Sequence, residues 1–143
     1  MTVRNIQEYL EGYLRAKEQI LNEKDHLASL YSIVENTTTH LSFTAGRNPS
    51  KDKGKFENAM IDIVAEKQKT EMHIRELALL QAEIENLISC VENEKMQRLL
   101  RYRYVNGMKF EEIADEIELS LPRTYSLHRE ALQEAQILFD SLG

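Results

Sequence analysis

Apolar side chains recur at alternating steps of four and three residues over the first part of the chain. The series begins after Asn5, and Glu8 follows three residues later, a spacing typical of a helix N-terminal capping box. Its apolar members are Ile6, Leu10, Tyr13, Ile20, Leu27, Tyr31 and Val34. A 3.5-residue period sustained over about thirty residues is typical of a coiled-coil seam. The pattern therefore predicts a long helix that ends near Asn36.

The same period returns between Phe56 and Val91 and predicts a second long helix. Its seam positions are Phe56, Met60, Ile63, Lys67, Thr70, Ile74, Leu77, Gln81, Ile84, Ile88 and Val91. Two helices of similar length most simply fold back as an antiparallel hairpin, which places Ile6 near Ile88. Lysine on such a seam lowers stability but penalises wrong registers. We interpret three seam residues in that way: Lys17, Lys24 and Lys67.

The predicted hairpin has a second apolar face that needs cover. It consists of Leu14, Leu21, Leu30, Ile61, Leu80 and Leu87. Either the C-terminal part of the chain or a second copy of the protein could supply the cover. The second alternative predicts a homodimer.

The connector, residues 37–55, has no apolar periodicity and contains Gly, Pro and a run of Thr, so it is predicted to be a loop. It is also locally basic. Its cationic residues are Arg47, Lys51, Lys53 and Lys55, against the single acid Asp52. The connector is either a solvated linker or an arm that contacts phosphate or RNA polymerase.

The last part of the chain shows a different pattern of three shorter helices. Asn93 is a plausible N-cap for the first, which stops at the helix-end signal Asn106-Gly107. The second presents one apolar face, formed by Phe110, Ile113, Ala114 and Ile117. Glu118 and Leu119 form a turn, and Ser120 caps the last helix, which has Pro122 in its first turn. The order predicts an all-α fold with a helical hairpin over 1–92 and a helix-turn-helix unit over 93–143.

The C-terminal string adds a family resemblance to that pattern. Residues 100–114, LRYRYVNGMKFEEIA, resemble region 4 of sigma factors, in which a similar run leads into a Ser-capped recognition helix. The tail at 125–132, YSLHREAL, is similar to sigma-like regulators of Gram-positive phages, the ArpU and RinA group and a related uncharacterised phage family. The resemblance is strong over 94–132 and extends only to layout before that. It implies a phage or prophage transcription regulator, typically an activator of late genes that works with host RNA polymerase.

The resemblance also implies which side chains contact DNA. In region 4 the exposed side chains of the first two turns of the last helix enter the major groove. The candidate DNA-binding residues are Lys109, Ser120, Leu121, Arg123, Tyr125, Ser126, His128 and Arg129. Arg123 is the best candidate for a base edge, because a guanidinium can make a bidentate contact. Arg101 and Arg103 could join Lys109 at the DNA backbone or contact polymerase.

Some positions depart from the sigma pattern. Leu121 and Pro122 occupy two reading positions where sigma factors usually place polar residues. Glu118 stands in the turn where Gly is common, and Thr124 replaces a usual Val or Ile. The last two changes predict a less tight or more polar elbow between the helices.

Charge limits how such a unit could bind DNA. The chain has a formal net charge of −6 and a pI near 5.3, and residues 94–143 carry seven Lys and Arg against nine Asp and Glu. Phosphate neutralisation supplies most of the affinity of ordinary DNA-binding proteins. We therefore expect useful affinity only from a dimer or on RNA polymerase.

The composition and the remaining motifs limit the possible fold, cellular location and chemistry. Gly and Pro are scarce, which favours helices, and the single cysteine, Cys90, allows no intramolecular disulfide. The chain shows no membrane-spanning apolar run and no signal peptide at its start, so a cytoplasmic location is expected. The four histidines are scattered, and no catalytic or phosphate-binding motif is present. We expect no enzyme activity, no metal, no cofactor and no small-molecule substrate.

Two further functions fit the same pattern. The chain could be an adaptor whose hairpin binds RNA polymerase or another protein while the helix-turn-helix does not read DNA. It could also be a phage DNA-packaging recognition subunit, since such proteins can join a helix-turn-helix to long helices. A packaging subunit would assemble into large rings.

Overall fold

The computed structural model describes the backbone of residues 5–43 and 49–142 and the side chains of 5–36 and 54–142. The helices are α1 (Ile6–Phe43), α2 (Pro49–Ser89), α3 (Glu94–Leu100), a π-helical turn (Arg101–Val105), α4 (Phe110–Ile117) and α5 (Leu121–Leu142). No strand occurs among these residues. The predicted all-α fold, a hairpin followed by a helical unit, is confirmed.

The first helix begins at the predicted cap. Asn5 Oδ1 accepts hydrogen bonds from the backbone N–H groups of Gln7 at 2.9 Å and Glu8 at 3.5 Å. A further acceptor comes from the far end of the chain, because the N–H of Ile6 donates to Oε1 of Gln136 at 2.9 Å. The free donors of the first turn of α1 are thus satisfied partly by α5.

The predicted loop over residues 37–55 is wrong for most of its length, because α1 continues to Phe43 and α2 already begins at Pro49. Proline at the first position of a helix loses no hydrogen bond, and one interior glycine costs only about 1 kcal/mol. These residues therefore permit a helix that their composition does not suggest. Of the basic residues predicted here, Lys55 is exposed on α2. Arg47 and the side chains of Lys51 and Lys53 lie outside the described residues.

Hydrogen bonds between α1 and α2 confirm the antiparallel hairpin. Tyr9 Oη donates to Glu83 at 2.8 Å, and Tyr13 Oη donates to Gln81 at 3.0 Å. Farther along the two helices, Nδ1 of His73 lies 2.8 Å from the carboxylate of Glu23. These pairs fit the predicted register, in which Ile6 lies opposite Ile88.

The chain divides into two compact units, which we call the composite unit (residues 1–17 and 77–143) and the hairpin unit (residues 18–76). This division differs from the predicted boundary after residue 92. The reason is that the beginning of α1 and the end of α2 share one apolar core with the C-terminal helices. Among the buried residues of that core are Ile6, Leu10, Tyr13, Ile84, Leu87, Ile88, Val91, Leu99, Leu100, Ile113, Leu127, Ala131 and Phe139.

The second face of the hairpin is covered in one unit and exposed in the other. In the composite unit Leu87 is buried, and Leu14 and Leu80 pack against the core. In the hairpin unit Leu21 is 55% exposed and Ile61 is 65% exposed. The C-terminal helices therefore cover the second apolar face of the hairpin in the composite unit. They do not cover it at Leu21 and Ile61 in the hairpin unit.

The third helix is less regular than predicted, because its last turn, Arg101–Val105, is π-helical. Its end is nevertheless the predicted one, since Gly107 has a positive φ of 71°. The ammonium group of Lys17 donates to the backbone carbonyl of Val105 at 2.9 Å. One seam lysine of the hairpin thus satisfies a carbonyl at the end of this turn.

Candidate nucleic-acid interface

A three-residue turn joins α4 to α5 and forms the elbow of a helix-turn-helix. Glu118 adopts the left-handed conformation, with φ of 58° and ψ of 45°, and its N–H donates to the carbonyl of Ala114. Ser120 caps α5 as predicted, because its Oγ accepts from the N–H of Arg123 at 3.3 Å. Pro122 follows in the first turn, where no intrahelical donor is needed.

The polar residue at the start of α5 does not loosen this elbow. Thr124 is completely buried, and its hydroxyl donates to the carbonyl oxygen of Ser120 at 2.8 Å. The opposing helix α4 buries Ile113, Ala114 and Ile117, the face that the sequence predicts. Replacement of the usual Val or Ile by Thr therefore leaves no unsatisfied hydroxyl in the packed elbow.

Phe110 is the centre of an aromatic cluster that fixes the start of α4. Its ring centroid lies 4.9 Å from that of Tyr125 and 4.9 Å from the ring of His128, which it meets edge-on. The guanidinium of Arg103 lies 4.4 Å above the Phe110 ring and donates to the carbonyl of Met108 at 2.9 Å. Arg103, predicted as a DNA-backbone or polymerase contact, thus has a packing role in this cluster.

His128 is not available as the DNA contact that was predicted. Its side chain is 9% exposed, and its Nε2 lies 2.7 Å from Oη of Tyr104. Burial, with a smaller effect of Arg103, lowers the pKa of His128 to about 4. Burial also raises the pKa of Tyr104 to about 12, so the phenol keeps its proton. His128 is a neutral core residue, and its place on the buried face of α5 excludes a phosphate contact.

The other predicted contact residues lie in α5, in the turn before it and just before α4, apart from Arg101 and Arg103, which lie in the π-helical turn. The exposed ones are Lys109, Ser120, Pro122, Arg123, Tyr125 and Arg129. The half-buried ones are Leu121, Ser126, Arg101 and Arg103. Tyr125 and Arg129 lie four residues apart in α5 and therefore share one side of the helix.

The outer face of α4 carries the opposite charge. Its exposed residues are Glu111, Glu112, Asp115 and Glu116. Phosphate would be repelled from this face, whereas Lys109 immediately precedes the helix. Favourable contacts with a polyanion are therefore confined to the start of α4 and to α5.

The sequence reading missed Glu130. Its carboxylate lies 3.6 Å from Nη1 of Arg123, and the same nitrogen donates to Oγ of Ser126 at 3.3 Å. The sequence could have predicted this pair, because residues seven apart lie almost on one line along a helix.

A family model described as a protein of unknown function, DUF1492, matches residues 45–136, which is more than half of the chain. The chain belongs to the DUF1492 family. No curated protein and no solved structure matches. The matched part of this DUF1492 protein contains all of α2, α3 and α4, together with α5 as far as Gln136. The candidate interface therefore lies within the family region.

Within residues 5–36 and 54–142, no three His, Cys, Asp or Glu side chains come together in a group that could hold a metal ion. Among the helices of the described part of the chain, none is both long enough and apolar enough to cross a membrane.

Proposed function

We propose that this DUF1492 protein is a DNA-binding transcription regulator of a phage or prophage, which places the first turns of α5 in the major groove. The observation that carries the proposal is the elbow at 118–120, which leaves Arg123, Tyr125 and Arg129 exposed on α5, with Lys109 exposed just before α4. A capped helix that presents cationic and aromatic side chains from its first two turns is the arrangement that helix-turn-helix proteins use. The resemblance of residues 100–132 to sigma region 4 supports the same function.

Because the chain is acidic, the proposal includes a second source of DNA affinity. With about three to five phosphate contacts per copy, the logarithm of affinity should fall with the logarithm of salt at a slope of roughly −3 to −4.5. One copy would bind DNA weakly at physiological salt. Host RNA polymerase, which the resemblance implies as a partner for activation, or a second copy of the chain would supply the remaining affinity.

The proposal is tested by selection from a pool of random-sequence duplexes. The full chain is incubated with the pool, alone and together with purified host RNA polymerase, and bound DNA is sequenced. We expect enrichment of a defined sequence, at least in the presence of polymerase. The function would be wrong if neither condition enriched any sequence.

Arg123→Ala then tests the residue proposed to read a base. Loss of a bidentate base contact should lower the affinity for the selected duplex by about 10-fold and change the affinity for a scrambled duplex much less. Lys95→Ala is the matched control, because Lys95 is an exposed cation on α3. Equal losses for the two variants would show that only general charge is involved.

A second candidate function is a protein adaptor, favoured by the apolar side chains at the start of α5. Leu121 is half-buried and Pro122 is exposed, and neither can donate a hydrogen bond to a base from its side chain. The two functions are separated by measuring two properties of the Arg123→Ala variant. These are its ability to activate the promoter and its binding to RNA polymerase. Loss of activation with retained polymerase binding supports the regulator, whereas full retention of both supports the adaptor.

A further inference from the structure

An ion pair lies on the exposed side of α5 that the proposed function assigns to DNA. Arg123 Nη1 and Glu130 Oε1 are 3.6 Å apart, and the two side chains are 51% and 47% exposed. The same guanidinium nitrogen donates to Ser126 Oγ. Arg123 is therefore engaged with two acceptors of its own helix when no DNA is present.

The direction of this contact matters. Ser126 and Glu130 both lie C-terminal to Arg123, so its guanidinium points along α5 towards the C-terminus of the helix. Helical side chains normally lean towards the N-terminus of their helix. A bidentate contact to a guanine needs two parallel N–H groups aimed at the groove. Arg123 must therefore leave Glu130 before it can read a base.

We propose that Glu130 competes with DNA for Arg123, so that the intramolecular ion pair weakens DNA binding by this chain. This inference rests on the proposed function. On a non-specific duplex Arg123 exchanges one carboxylate for one phosphate, and the net gain is small. On the correct site it exchanges the carboxylate for two acceptors of guanine, and the gain is larger. Because only the unpaired fraction of Arg123 can contact DNA, the ion pair lowers both affinities.

The test compares Glu130→Gln with Glu134→Gln in the full chain. Glu134 is exposed on the same helix, and it lies eleven residues from Arg123, or about 16 Å along the axis. Both substitutions remove one negative charge, but only the first removes the ion pair. The probes are the duplex selected by the wild-type chain and a scrambled duplex of equal length, with affinities measured by fluorescence anisotropy.

Exposed ion pairs change equilibria by a factor of about 1.4 to 5. We expect Glu130→Gln to tighten binding of the selected duplex about threefold and binding of the scrambled duplex by at most the same factor. Glu134→Gln should move both duplexes by one common small factor. In an Arg123→Ala background, Glu130→Gln should have only the small effect of Glu134→Gln.

Two results would overturn the inference, and they can be told apart. A wild-type chain that enriches no sequence, with or without RNA polymerase, removes the proposed function and the inference together. A wild-type chain that enriches a sequence, with Glu130→Gln indistinguishable from Glu134→Gln, removes only the inference. Persistence of the threefold tightening by Glu130→Gln after Arg123→Ala would have the same meaning.

Discussion

The imidazole of His128 is enclosed by rings from two other parts of the composite unit. Tyr104, in the π-helical turn, shares a hydrogen bond with it, and Phe110 meets the ring edge-on from the start of α4. A positive charge at this position would lie near Arg103 and away from water, which is why the pKa is low. The recognition helix is thus attached to its neighbours by a group that must remain neutral.

This attachment makes stability depend on acid. The pKa of His128 is about 4 in the folded protein and 6.5 in the unfolded chain, so the unfolded chain binds the proton first as pH falls. The free energy of unfolding should therefore fall between pH 6.5 and 4, by up to about 3 kcal/mol from this group. Urea midpoints at pH 7 and 4.5 measure the effect.

The comparison for that experiment is His128→Gln, which should show a smaller loss between the two pH values than the wild-type chain. His26→Gln, at an exposed position of α1, is the control and should behave like the wild type. Equal pH dependence in His128→Gln and the wild type would contradict the assignment of the loss to His128.

Glu118 supports a second prediction at the scale of one residue. A left-handed backbone favours glycine, so Glu118→Gly should raise the free energy of unfolding by about 0.5–1 kcal/mol. Glu116→Gly, two residues earlier within α4, should lower it by about the same amount. Urea unfolding of both variants checks the opposite signs. A decrease in both would mean that Glu118 is not strained.

Local signals of this kind were readable from the sequence. The caps at Asn5, Asn93 and Ser120 and the stop at Gly107 depend on residues within one turn, and all four are confirmed. The role of His128 was not readable, because the spacing of residues on α5 does not reveal which neighbour closes over a side chain. Burial of one polar residue is a property of three packed elements.

At the scale of helices, the two lysines that the sequence places on the seam of α1 have different surroundings. Lys17 donates to the carbonyl of Val105, whereas Lys24 is exposed in the hairpin unit. A charged hydrogen bond contributes about 1.5–3 kcal/mol. Only Lys17 therefore joins α1 to the end of the π-helical turn.

Replacement by methionine should separate these roles. Lys17→Met should lower the free energy of unfolding by about 1–3 kcal/mol, because it removes the donor to a half-buried carbonyl. Lys24→Met should leave stability unchanged or raise it slightly, since a seam lysine opposes packing. Chemical denaturation of both variants gives the comparison. Equal losses would mean that both lysines act only through the seam.

The helix boundaries show where periodicity stops being informative. The seam predicted the hairpin and its register, because buried positions repeat along both helices. It could not predict that 37–43 and 49–55 are helical, since these mostly polar segments show no apolar periodicity. The π-helical turn at 101–105 was equally invisible, because it changes the hydrogen-bond pattern and not the residue types.

At the scale of the whole molecule, the exposed apolar residues of the hairpin unit favour self-association. Ile61, Val64 and Met72 are at least half exposed on α2, and only Ile20, Ile63 and Thr70 are buried among the described residues of this unit. Two helices with so small a core gain stability when a further apolar surface packs on them. We therefore propose that a second copy of the chain binds here.

Sedimentation velocity at micromolar concentration tests this proposal. The wild-type chain should sediment as a dimer, and Ile61→Lys should shift it towards monomer, because a cation would enter the apolar contact. Asn58→Lys, an exposed polar position one turn away, adds the same charge and should leave the dimer intact. A monomeric wild type would contradict the proposal, and a large ring would favour a DNA-packaging subunit.

The hydrogen bond from Ile6 to Gln136 has a consequence for biosynthesis. These residues are 130 positions apart, and the composite unit combines residues 1–17 with residues 77–143. At about 5–20 residues per second, a ribosome adds Gln136 roughly 6–26 s after Ile6. The apolar side of the first turns of α1 must wait that long for its cover. A chaperone that recognises exposed apolar helices would meet the nascent chain during this interval.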